Sequence, residues 1–82
     1  MGTVMEQLAD RITQQATQEA NTETATMFES LWRELNAKNL TYVVDAESDT
    51  YVRDMLGKVQ ELVRRSLIKR HEARIIQQLV KE

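Results

Sequence analysis

His71 is the single histidine of the chain, and with Glu72 beside it opens the pattern of a zinc-protease helix. That pattern places a second histidine four positions after the first, where the metal needs its next ligand. Ile75 stands there instead. Asp45, Glu47 and Asp49 alternate as the start of a calcium loop does. Such a loop needs glycine where Thr50 stands and a bidentate acid where Leu56 stands. Gly2 and Gly57 are the only glycines, so no glycine-rich loop can cradle a phosphate, and no serine lies near a base in a hydrolase setting. These residues predict no catalytic centre, no metal site and no cofactor. His71 reads as a solvated side chain on a basic helix, or as a pH-sensitive contact.

The densest charge lies between Arg64 and Arg74, where Arg64, Arg65, Lys69, Arg70 and Arg74 face one acid, Glu72. On a helix Arg70 and Arg74 align, while Arg64, Arg65 and Lys69 point elsewhere. Nucleic-acid binding wants cations on one side so that several phosphates are neutralised together. The spread argues against that partner, and a nucleic-acid regulator is kept as the alternative. Residues 1–50 carry 3 basic and 9 acidic groups, hence −6, and residues 51–82 carry 8 and 4, hence +4. Such a chain can pair its own halves, pair with itself, or meet an acidic partner.

Eighty-two residues make one domain, 1–82, with no cysteine or proline and 5% aromatic residues. A chain of this size has little core of its own, and without disulfides or thiolate metal sites oligomerisation is the common remedy. No apolar run has the length of a signal-peptide core or a membrane span. Gly2 is placed for myristoylation, but Glu6 stands where serine or threonine is wanted. A cytoplasmic protein without membrane insertion is expected.

Three helices are predicted to carry these groups, at about 3–20, 26–38 and 49–81, with a connector over 39–48. In the last, Met55, Leu56, Val59, Leu62, Val63 and Leu67 form one apolar stripe, expected to face the chain's own core. Past Ser66 the apolar residues change sides. Ile68, Ile75, Ile76, Leu79 and Val80 gather opposite and are expected to form a self-association or partner surface. Gly57 within this helix suggests a close approach of another helix, or a hinge. Thr26-Met27-Phe28-Glu29 fits a capping box opening the middle helix. That helix holds Trp32, which reads as a core ring or, alternatively, as a partner anchor. Met5, Leu8 and Ile12 start the first helix, but Thr13–Thr26 has no large apolar residue. Periodicity therefore leaves open whether residues 3–38 form one helix or two. Asn39 reads as a helix stop, and Leu40–Val44 has the make-up of a short strand. Ser48 or Asp49 is expected to cap the long helix.

The expected fold is all-α: a small bundle of two or three helices with a long C-terminal helix, completed by dimerisation. In length, absence of cysteine, polar helical character and the run NLTYVVDAESDTYVRDMLGKVQELVRRS, the whole chain resembles the cytoplasmic antiholins, the lysis-inhibition accessory proteins of T4-like phages. The resemblance implies a protein of the host cytoplasm that binds the cytoplasmic part of a membrane holin and delays lysis. It transfers no binding residue. The residues and the resemblance together predict a regulatory interaction protein, with itself and a protein as partners. A structural subunit of a larger assembly is a further alternative.

Overall fold

The computed structural model describes residues 3–37 and 45–81. They form two helices, α1 (Val4–Leu35) and α2 (Ala46–Lys81), packed on each other as an antiparallel hairpin. The molecule is a thin rod of 55 × 26 × 14 Å. Helices of 32 and 36 residues are about 48 and 54 Å long at 1.5 Å per residue, so the hairpin has only two layers along its whole length. No strand occurs among the described residues. The expected strand at 40–44 and the expected stop at Asn39 lie outside them.

Where periodicity left one helix or two open, α1 runs unbroken through residues 20–26. Thr3 is the N-cap of α1, and its hydroxyl accepts from the Glu6 amide while Glu6 accepts from the Thr3 amide. The capping box is thus at Thr3–Glu6 and not at Thr26–Glu29. Thr26 lies in mid-helix and turns its hydroxyl back to the Thr22 carbonyl at 3.0 Å. Thr24 does the same to Ala20 at 2.6 Å. With their hydroxyls satisfied inside the helix, these threonines no longer compete with it as turn formers. The helix ends at Leu35 with Asn36 as C-cap, before the expected Lys38.

α2 starts three residues earlier than the expected Asp49. Asp45 caps it, since its carboxylate accepts from the Ser48 amide at 2.7 Å and its carbonyl from the Asp49 amide at 3.1 Å. Hydrogen bonds to the carboxylate, from the Ser48 amide first and then the Ser48 hydroxyl, hold the Asp45 carboxyl below the usual carboxylate range. Ser48 and Asp49 therefore sit inside the first turn, where Glu47 and Asp49 oppose the positive end of the helix dipole.

Small side chains make the seam. Ala16, Ala20 and Thr24 are almost fully buried, and Phe28, Leu35, Leu67 and Ile75 complete the core. The α1 residues from Ala16 to Phe28 recur every fourth position, and each step of four carries the seam about 40° around the helix. The seam therefore drifts away from the large apolar residues, leaving Met27 and Leu31 exposed. The stripe expected to face the core from α2 also splits. Leu67 is buried and Leu56 and Val63 are half-buried, whereas Met55, Val59 and Leu62 are exposed. Gly57 does not mark a close approach, because a Cβ built there meets nothing within 4 Å.

Candidate functional site

The register of the hairpin brings a set of polar groups into the seam that no local sequence window contains. At the loop end Arg53 Nη2 donates to the Leu35 carbonyl at 3.1 Å and Nη1 to Asn36 Oδ1 at 3.0 Å. The last carbonyls of a helix lack partners within it, so Arg53 closes α1 from the neighbouring helix. Asp49 holds the guanidinium from the other side at 2.9 Å. Further along, Trp32 meets Gln60, and Arg64 reaches Asn21 at 3.4 Å.

The most concentrated cluster lies nearer the open end. His71 Nε2 is 2.7 Å from Glu23 Oε2. Its Nδ1 is buried and lies 3.4 Å from Glu19 Oε2, within ion-pair reach but without a hydrogen bond. Arg74 also pairs with Glu19. These residues, with Gln18 and Thr22, line a shallow polar recess. A singly protonated imidazole can donate to one of the two carboxylates and a doubly protonated one to both. An imidazole held between carboxylates is well oriented, but both of its nitrogens face acids of the same chain. The chemistry visible here is cross-linking of two helices. Among the described residues no three metal-binding side chains gather.

The basic patch is largely spoken for. Arg64 and Arg65 share Glu61, at 2.7 and 3.0 Å. The hydrogen bonds from Arg64 and then Arg65 pull the Glu61 carboxyl from its ordinary 4.5 to about 2, and Glu61 in turn raises Arg64. Arg74 is taken by Glu19. Lys69 and Arg70 are exposed and make no ion pair among the described residues. Two free cations do not make the array that several phosphates require.

The structure divides the residues expected to form an outward surface. Ile75 is 7% exposed and belongs to the hairpin's own core. It lies on the same face of α2 as Leu67, two turns along, and that face is turned to α1. Ile68 is half-buried. Ile76, Leu79 and Val80 are exposed, Val80 to 79%. They are joined by residues whose placement required the fold: Met5, Leu8, Ala9 and Ile12 of α1 lie against Ile76, Leu79 and Val80 of α2 around an apolar groove of about 350 Å³. Its lining holds no charged or polar residue. The signal for it in the sequence was the Met5–Leu8–Ile12 spacing, but pairing it with the C-terminal turn needed the antiparallel register. Trp32 is half-buried, its indole nitrogen bonded within the chain.

Among the described residues no helix is long and apolar enough to cross a membrane. Comparison of the chain with protein-family models, with curated proteins and with solved structures finds no match.

Proposed function

We propose that this protein is a small, non-enzymatic regulator that acts by binding another protein, and that the groove at the open end of the hairpin receives an apolar helix face of that partner. The groove's wholly apolar lining carries the reading. A short trough between two helix ends suits the anchors of an amphipathic helix, which recur at three- and four-residue spacing. Apolar surface gathered at one place on a small protein marks an interaction site more often than scattered exposure does. The resemblance to cytoplasmic antiholins supplies the finer proposal, in which the partner is the cytoplasmic segment of a phage holin, bound in the host cytoplasm so that lysis is delayed.

The test is titration of a fluorescent peptide with the sequence of a T4-like holin's cytoplasmic segment. Saturable binding that weakens at least about tenfold in Leu8→Asp combined with Leu79→Asp, both interface anchors in this reading, is the expected result. Binding unchanged by that pair of substitutions counts against the groove. No binding to the peptide at all removes the holin as partner.

A further inference from the structure

The outward side of α2 carries a second apolar feature, which shares Ile76 and Val80 with the groove and runs on from it toward the loop end. From Met55 onward, steps of four and three residues alternate through Val59, Leu62, Ser66 and Lys69 to Ala73, Ile76 and Val80. Every one of these positions is exposed. The residues that tie α2 to α1, namely Arg53, Gln60, Arg64, His71 and Arg74, lie off this line. An alternation of four and three is the period at which two helices keep one seam in contact over several turns, each side chain fitting between those of the facing helix.

We infer that this seam pairs two copies of the chain through an antiparallel α2–α2 contact in which Leu62 of one copy meets the partner's Ala73. In that register Met55 meets the partner's Val80 and Val59 the partner's Ile76, each twice about a two-fold axis, as a self-complementary interface requires. Bulky Leu62 lies over small Ala73, and Lys69 lies beside the partner's Ser66, with room for its ammonium to reach water. The flanking charges choose the register. Arg65 falls beside the partner's Glu72, and Glu72 makes no ion pair among the described residues. Arg65 has only its Nε engaged, by Glu61 at 3.0 Å. A slip of one heptad one way sets Arg65 against the partner's Arg65, and the other way Glu72 against the partner's Glu72. Parallel pairing fares worse, since it stacks Lys69 on the partner's Lys69 inside the seam and sets Arg65 against the partner's Arg70. Like charges in contact oppose such pairings.

The area is sufficient. Met55, Val59, Leu62, Ile76 and Val80 are between 42% and 79% exposed, on the order of 500 Å² per copy, so that two copies cover about 1,000 Å² before flanking residues are counted, near the lower bound of specific interfaces. The inference rests on reading the chain as an interaction protein; it shares Ile76 and Val80 with the groove, whereas Met55, Val59 and Leu62 lie outside it.

The chain has no cysteine, so Leu62→Cys and Ala73→Cys each introduce a lone thiol at an exposed position. When the two variants are mixed under mild oxidation, the heterodisulfide between positions 62 and 73 is expected to dominate. Homodisulfides of each variant as the main products would indicate parallel pairing and overturn the register. Cross-linking no greater than that of Ala25→Cys, an exposed position off the seam, would overturn the dimer. Sedimentation gives an independent reading. The intact protein is expected at twice its 9.5 kDa, Leu62→Asp and Arg65→Glu at least about tenfold weaker in self-association, and Arg65→Glu with Glu72→Arg restored. A 9.5 kDa species for the intact protein at about 100 µM, far above a micromolar dissociation constant, overturns the proposal and leaves the face to another occupant. Leu62→Asp that is monomeric yet still binds the holin peptide separates loss of the dimer from failure of the groove.

Discussion

Trp32 and Gln60 meet across the hairpin, the indole Nε1–H donating to Gln60 Oε1 at 2.6 Å. The contact turns the polar edge of the chain's only tryptophan toward α2 and fixes which turn of one helix lies beside which turn of the other. Replacing Gln60 by Leu leaves the indole N–H facing hydrocarbon without an acceptor. A partly buried donor without a partner costs about 1 kcal/mol, so Gln60→Leu is expected to lower the melting temperature, whereas Gln60→Glu keeps an acceptor and stays close to the parent. Circular dichroism melts and the position of the tryptophan emission band measure both.

The alanines of the seam are expected to resist enlargement. Ala20 is fully buried between the helices, so Ala20→Leu forces them apart and costs about 1–3 kcal/mol. Ala25, exposed on the same helix, should accept leucine with little change, because the two residues differ little in helix propensity. Chemical denaturation of the pair separates packing from propensity. Equal stability of the two variants would contradict a close-packed seam at Ala20.

Gly57 offers a stabilising substitution. Nothing lies within 4 Å of the Cβ that alanine would add, and its φ is not positive. Gly57→Ala is expected to raise stability by about 0.5–1 kcal/mol through helix propensity alone. A loss of stability on denaturant titration would mean that the position serves as a hinge or a docking point.

The pH dependence of Glu61 runs in one direction. Its carboxyl is lowered to about 2 by the hydrogen bonds from Arg64 and Arg65. A group whose folded value lies below its unfolded one contributes stability that is fully present above the unfolded value of 4.5 and is lost as the pH falls through about 2. Its exposure to solvent makes the contribution small. Glu61→Gln is expected to be slightly less stable than the parent above pH 5 and to approach it as the pH falls toward 2, which flattens the acid limb of the stability curve. An unaltered limb would show that other carboxylates carry it.

The helical class and the long C-terminal helix were legible because the spacing of Met55 to Leu67 and of Met27 to Leu35 has the period of a helix. The continuity of α1 was not. Thr13–Thr26 offers no bulky apolar residue, and bulk is what periodicity weighs. Its burial comes instead from Ala16, Ala20 and Thr24, small enough for a second helix to lie close. The surplus of acid in the first half and of base in the second allowed pairing between the halves as one of three outcomes. That Glu19 and Glu23 would receive His71 and Arg74 depended on the register of the hairpin, which no local window encodes. The same register moved Ile75 inward while leaving Ile76 and Val80 outside.

Ionic groups flank the seam of this hairpin around its core of small and apolar side chains, while other oily residues lie on the outside. Dissolved electrolyte weakens attraction between opposite charges and leaves contacts of hydrocarbon nearly untouched or strengthens them. Brine should therefore weaken the ties of His71 and Arg74 to Glu19 and Glu23 while leaving the apolar core in place. Ionic strength thus gives an experimenter a handle on the open end of the hairpin that spares its centre.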